Sequence, residues 1–189
     1  MDARIKAVTF DEEAHRYFYN GKELHGVTGA IGKLMGKIFP DTDVVKLAKI
    51  YGSDVHKEVE NYYNSNSKIL SSDGAKWVVE YLEQFKLKHF VNKIESEVMV
   101  SDFEGTASKI DVVVRTDVGA YIFDIKTTSH FDRAYCSLQL SVYKKLYEQC
   151  YEDNIIGMFV LGTKSKRVFR ILEQEQTKVD KVLAMNKGE

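Results

Sequence analysis

In the segment YIFDIKTT, residues 121–128, the carboxylate of Asp124 and the amine of Lys126 stand two positions apart in a run of aromatic and β-branched side chains. Such a run reads as a strand, and alternation along it points Asp124 and Lys126 to one face while Phe123 and Ile125 point to the other. The preceding run, KIDVVVR, joins it through Thr116-Asp117-Val118-Gly119. If Asp117-Val118 form a hairpin tip, Thr116 faces Gly119, and counting back sets Asp111 across from Asp124 and Lys109 across from Lys126. Directly opposed side chains have Cβ atoms about 4.5–5.5 Å apart, so two carboxylates there repel unless something compensates. A hard divalent ion such as Mg2+ or Mn2+ compensates, keeps several waters, and leaves an open side for a phosphate oxygen. The plain alternative is a charge-paired, solvated sheet face. The apolar flanks of Asp124 weigh against it, because a partly buried acid needs a partner.

Two further pairs have helical spacing. His56 and Glu60, in YGSDVHKEVENYY, share a helix face and could both turn toward a metal, although helical spacing more often makes such a pair a surface contact. Gln139 and Tyr143, in SLQLSVYKKLYE, lie on the face that carries Cys136, with Leu140 and Leu146 inward. An amide and a phenol can donate to phosphate. Their ordinary role would be a helix flank with a tyrosine half in the core.

The elements that must position these residues are legible as patterns. The opening AVTFDEEAHRYFYNGKELHGVT alternates apolar and polar residues around Asn20-Gly21, which predicts a small antiparallel hairpin. Residues 41–64 carry Val44, Leu47, Ala48, Tyr51, Val55, Val59 and Tyr62 at helical spacing after a Pro40-Asp41 start signal, and Gly52 is a point where the helix could divide in two. A second amphipathic helix follows Ser71-Ser72-Asp73, with Trp77, Val78, Tyr81, Leu82 and Phe85 on one stripe. IESEVMV, KIDVVVR, AYIFDIKTT and IIGMFVLG read as strands, with a helix at 133–152 before the last and a polar helix at 174–185 closing the chain. Helix, three strands, helix, strand fits an α/β layer with a central mixed β-sheet flanked by helices, plus the N-terminal hairpin.

The 189 residues fit one domain: hairpin and lead-in over 1–40, core over 41–172 and C-terminal helix over 173–189. A net charge of -1 does not announce a nucleic-acid binder, but acids at a metal site are neutralised by the ions, and Lys164, Lys166, Arg167 and Arg170 could form a local basic patch. Cys136 and Cys150 are too few for a disulfide framework or an all-cysteine iron–sulfur cluster. No apolar signal core occupies the first thirty residues and no stretch approaches the roughly 18 apolar residues of a membrane span, which predicts a cytoplasmic protein with no membrane association.

Taken in order, Gly52, His56 and Glu60; Gly105 and Asp111; Asp124-Ile125-Lys126; and Gln139 and Tyr143 resemble the motif series of the PD-(D/E)XK nuclease superfamily, in particular its RecB-like, phage-type exonuclease branch. The motifs span residues 52–143, about half the chain. The segment GTASKID departs from the family by its longer glycine-to-aspartate spacing, which puts the role of Gly105, not that of Asp111, in question. The hairpin resembles the lead-in of phage-type members, with no chemistry assigned to it.

The resemblance implies a restriction-endonuclease-like core and metal-dependent DNA hydrolysis. In it, Asp111, Asp124 and the Ile125 carbonyl are metal ligands, with His56 completing the site. Lys126 orients or activates the attacking water, and Glu60, or alternatively Glu97, supplies another carboxylate. Gln139 and Tyr143 hold the DNA backbone. The implied cofactor is Mg2+ or Mn2+, without an iron–sulfur cluster, and the implied partner is DNA, in recombination, repair or phage replication. An exonuclease is the first expectation. A structure-selective endonuclease of the same fold and a catalytically silent nucleic-acid-binding module are the alternatives. No P-loop motif is present, so unwinding would fall to a helicase or recombination partner or to frayed ends. The oligomeric state is open.

Overall fold

Asn20 and Gly21 both adopt left-handed backbone, with φ of 49° and 79°, the combination that closes a two-residue hairpin with the twist its strands require. They join β2 (Arg16–Tyr19) to β3 (Lys22–Gly26), and β2 pairs on its other side with β1 (Val8–Asp11). The expected hairpin is therefore a three-stranded ribbon. It also joins the main sheet, since β3 runs parallel to the start of β5. The computed structural model describes residues 1–37, 42–65 and 67–188.

The chain is an α/β protein with an eight-stranded mixed sheet. β4 (Val91–Ser101), β5 (Thr106–Thr116) and β6 (Gly119–Lys126) form an antiparallel meander; β7 (Ile155–Gly162) adds parallel to β6, and β8 (Arg167–Arg170) adds antiparallel to β7. Helices cover both faces. α1 (Val27–Leu34), α4 (Arg133–Cys150) and α5 (Gln176–Lys187) pack on one side through Ile31, Leu140, Leu146 and Val182. α2 (Asp43–Asn64) and α3 (Asp73–His89) pack on the other through Val55, Val59, Val78, Leu82 and Phe85.

The capping chemistry explains the helix starts. The side chains of Thr42, Ser72 and Asp132 each accept a backbone N–H from the first turn of α2, α3 and α4. The Pro40-Asp41 start signal lies outside the described residues. Gly52 does not divide α2, which is continuous. The residue is small because a Cβ there would stand 3.1 Å from Thr127 Oγ1, at the end of β6, so α2 crosses close over the strand that carries Asp124. α1 and β8 have no counterpart in the sequence reading. Both are short, and α1 contains Gly29 and Gly32, poor helix formers that periodicity does not flag.

Gly105 has a packing role. A Cβ there would lie 2.8 Å from the Asn186 carbonyl oxygen and 2.9 Å from its carbon, so the β4–β5 turn needs a bare Cα where the end of α5 rests on it. Gly105→Ala should cost about 1–3 kcal/mol through overpacking, measured by urea denaturation, with divalent-ion affinity unchanged. A wild-type midpoint would contradict the packing role, and a loss of ion affinity would place Gly105 in the site.

Candidate metal centre

β5 pairs with β4 along one edge, but its other edge is shared: β3 takes residues 106 and 107, and β6 takes 112–116. Between these two partners the edge carries no ladder bonds among the described residues. Thr116 pairs with Gly119, as the hairpin count requires, and the ladder closes with Val112 and Phe123, one step before Asp111 would meet Asp124. The Asp111 carboxylate does not stand directly across from Asp124. Its Oδ2 accepts the backbone N–H of Ile125 at 2.6 Å, taking the place of a strand-to-strand bond.

The pleat changes face at the same point. Ile110 and Val113 lie in the core beneath α4, whereas Val112 and Val114 lie in the core beneath α2 and α3. Unbroken alternation would keep 110, 112 and 114 together. β4 carries the matching irregularity: its pairing passes from Ser96–Val112 to Val98–Ile110, and Glu97 between them has φ of 53°. A break of this kind re-aims side chains out of the regular sheet. Here it turns Glu97 and Asp111 toward His56 on α2.

His56 Nδ1 is 3.6 Å from Glu97 Oε1 and 3.6 Å from Asp111 Oδ1, and its Nε2 is 3.3 Å from the Ile125 carbonyl oxygen. One ligand atom from each of His56, Glu97 and Asp111 falls within 4.8 Å of the others. Side-chain exposure rises from 3% at Asp124 to 14% at Asp111, 20% at Glu97 and 29% at His56, so the centre is closed at β6 and open toward α2. Burial works against a charged imidazole, but the carboxylates of Asp111, Glu97 and Asp124 outweigh it and push His56 up to about 9. Burial raises Asp111 and Asp124 above the usual carboxylate range, against the pull of His56 and Lys126.

Asp124 and Lys126 share a face, as alternation predicts. Lys126 Nζ donates to Asp124 Oδ1 at 3.0 Å and to Gln139 Oε1 at 3.3 Å. Asp124 Oδ2 is 2.9 Å from the same ammonium, yet it is buried with no directed hydrogen bond among the described residues. That oxygen has an ammonium beside it but no directed donor, so part of its capacity to accept is unused. Burial disfavours the Lys126 ammonium, but Asp124 and Asp111 hold it charged and well above its ordinary value. Lys126 is thus a fixed positive charge rather than a proton acceptor.

Several sequence expectations change here. Lys109 is not beside Lys126: its Nζ lies 4.0 Å from Glu97 Oε2 and 4.3 Å from the centre of the Phe10 ring, because the pleat break separates it from β6. Glu60 stays outside the cluster and is ion-paired with Lys57 at 2.9 Å. Of the two glutamates weighed from the sequence, Glu97 is the one brought to His56 and Asp111. An acid alternating with apolar residues on a strand next to that of Asp111 was the available signal, but only the break decides where it points. Gln139 and Tyr143 are both buried. The Gln139 amide donates to the Tyr143 oxygen at 3.0 Å, which also takes the Ser108 hydroxyl at 3.3 Å. Tyr143 thus braces Gln139, which in turn holds Lys126 from within the core.

These residues fit a hard divalent ion. Carboxylates, a carbonyl oxygen and one imidazole are its preferred donors, and the unmatched Asp124 Oδ2 and the crowded Asp111–Glu97 pair are what an ion would relieve. No family model matches the chain, and no curated protein matches it. Among the described residues, no helix is long and apolar enough to cross a membrane.

The pH dependence in the presence of EDTA follows from these shifts. His56 holds its proton more tightly folded, at about 9, than its ordinary value of about 6.5. Its contribution to stability is complete below about pH 6.5 and is lost as pH rises through about 9. The raised Asp111 and Asp124 act in the same direction, with their loss beginning above the ordinary carboxylate range. Thermal unfolding in EDTA should therefore show a melting temperature that falls from pH 6.5 to 9, and saturating Mg2+ should flatten the fall. A melting temperature that is level in EDTA, or a fall that Mg2+ leaves unaltered, would contradict the electrostatics of the cluster.

Proposed function

We propose that this chain is a divalent-metal-dependent DNA nuclease that hydrolyses phosphodiester bonds from a strand end, as an exonuclease. The observation that carries the reading is the convergence of His56, Glu97 and Asp111 beside a buried Asp124–Lys126 pair, a hard-ion donor set with a fixed cation next to it. The order of motifs supports it, because His56, Asp111, Asp124 and Lys126 belong to the PD-(D/E)XK resemblance, with Glu97 taking the place weighed for Glu60. A restriction-endonuclease-like core agrees with the mixed sheet and its two helical layers.

Asp111, Asp124, Glu97, His56 and the Ile125 carbonyl would hold Mg2+ or Mn2+. When bound, such ions lower the pKa of a coordinated water and neutralise charge on the phosphate and the leaving oxygen. Lys126, held charged by Asp124, donates a proton-rich ammonium edge to the phosphate oxygen on which negative charge develops. Gln139 fixes the Lys126 ammonium through its carbonyl oxygen, and Tyr143 and Ser108 fix Gln139. This preorganisation keeps the cation aimed without reorganising a long, flexible side chain during the reaction. The Asp111 bond to the Ile125 N–H holds both strands, and so both acids, in register.

Purified protein incubated with end-labelled linear DNA and covalently closed circular DNA, in Mg2+, Mn2+ or EDTA, tests the reading. Metal-dependent loss of linear DNA alone supports an exonuclease. Cutting of the circle moves the assignment to an endonuclease, and tight DNA binding without cleavage identifies a silent binding module. Lys126→Ala and Glu97→Gln should each lower the rate by about 10²–10³-fold, while Glu60→Gln should lower it by less than about tenfold. The reverse order for the two glutamates would return the role to Glu60.

A further inference from the structure

The donors gathered at the metal centre come from four elements: His56 from α2, Glu97 from β4, Asp111 from β5, and Asp124 with the Ile125 carbonyl from β6. They converge only if the elements are fixed to one another close to the centre. The bond from the Ile125 N–H to Asp111 Oδ2 does this for β5 and β6. α2 and β4 need a fastening of their own, because β4 pairs with β5 along one edge and with no strand along the other among the described residues.

That fastening is Asn64, the last residue of α2, about two turns beyond His56. Its side-chain nitrogen donates to the Ser96 carbonyl oxygen at 2.6 Å, and its side-chain oxygen accepts the Ser96 N–H at 3.0 Å. Ser96 is buried, so its peptide groups on the open edge of β4 require partners. The single amide of Asn64 meets both, as the next strand of a sheet would. The Ser96 hydroxyl in turn donates to the Asp111 carbonyl oxygen at 2.6 Å. A line of hydrogen bonds therefore runs through Asn64, Ser96, Asp111 and Ile125, crossing each of the four elements once.

Glu97 directly follows the clamped residue. Its φ of 53° is left-handed backbone, which a side chain with a Cβ disfavours and which persists only where the surroundings impose it. Before it, Ser96 is held by Asn64 and Asp111; after it, Val98 resumes the ladder opposite Ile110. The irregularity is thereby confined to Glu97, whose carboxylate turns to His56 Nδ1 at 3.6 Å. Asn64 is exposed and belongs to none of the donors, so its two-way bond to Ser96 is what connects it to the centre.

We infer that Asn64 is a positioning residue of the ion site: by holding the Ser96 main chain it keeps Glu97 in left-handed backbone, with its carboxylate turned to His56 and Asp111. The inference rests on the reading of that centre as the ion site of a nuclease.

The test uses the full-length protein. Mn2+ affinity, read from the EPR signal of the free ion, should fall about tenfold in Asn64→Ala. In a Glu97→Ala background the same substitution should change it by less than about twofold, because the effect passes through Glu97. Backbone NMR shifts in EDTA give a readout that needs no ion: Glu97 should report left-handed backbone in the wild type and lose it in Asn64→Ala. Urea midpoints identify folded variants. Asn64→Asp, which keeps the acceptor for the Ser96 N–H and loses the donor to its carbonyl, replaces Asn64→Ala if that variant is unfolded. Left-handed shifts retained at Glu97 in the variant would overturn the role. So would an unaltered Mn2+ affinity in protein that binds the ion, or equal losses in both backgrounds, the mark of a merely structural contact. Wild-type protein that binds no Mn2+ while Glu97 still responds to Asn64→Ala overturns the ion site, and the nuclease reading with it, and leaves the hold on Glu97 standing. Mn2+ binding without cleavage of DNA overturns the nuclease reading alone.

Discussion

The hydrogen bond from the Ile125 N–H to Asp111 Oδ2, 2.6 Å long, holds together two strands at the point where their ladder has ended. A backbone donor in the interior must find an acceptor, and here a carboxylate supplies it in place of the next strand carbonyl. The consequences spread in both directions. The edge of β5 is left open between β3 and β6, the pleat turns over at Asp111 and Glu97, and the Ile125 carbonyl faces His56. Were the ladder to continue regularly, the Ile125 N–H would take a strand carbonyl, and Asp111 would stand directly across from Asp124 rather than turn toward His56.

Such a centre works against the stability of the fold. Two acids raised above their ordinary range and an imidazole held charged among them are buried electrostatic costs. Only part is offset by Lys126, whose ammonium balances Asp124 from within the core. The rest of the molecule compensates with apolar packing on both faces of the sheet. Phe123 and Ile125 alternate with Asp124 on the opposite face and are buried against the α2 and α3 layer. The strand that presents the acid is therefore anchored by the residues between which it stands.

Much of this was legible in the sequence, and the failures share a cause. The β5–β6 turn fixes its register at Thr116 and Gly119, and alternation correctly places Asp124 with Lys126, because both follow from local geometry. Extending the count past Val112 fails, since periodicity assumes an unbroken pleat and the left-handed backbone at Glu97 has no signature in a residue that is not glycine. The same break sends Lys109 to Phe10 and selects Glu97 over Glu60. Gln139 and Tyr143 show a different limit. Helical spacing puts them on one face, but only the packing of α4 beneath β5 and β6 shows that this face is interior, where Tyr143 meets Ser108. That the N-terminal ribbon joins the main sheet also escapes local periodicity, because the pairing of β3 with β5 is a long-range contact.

Diffraction from a crystal of the protein soaked in Mn2+, recorded at a wavelength where manganese scatters anomalously, tests most directly whether the broken ladder builds an ion site. The expected result is an anomalous peak bounded by His56, Glu97 and Asp111, with Asp124 and the Ile125 carbonyl on its inner side. A crystal that shows no peak there at saturating Mn2+, or a peak coordinated instead by Glu60, would contradict the assignment of this centre.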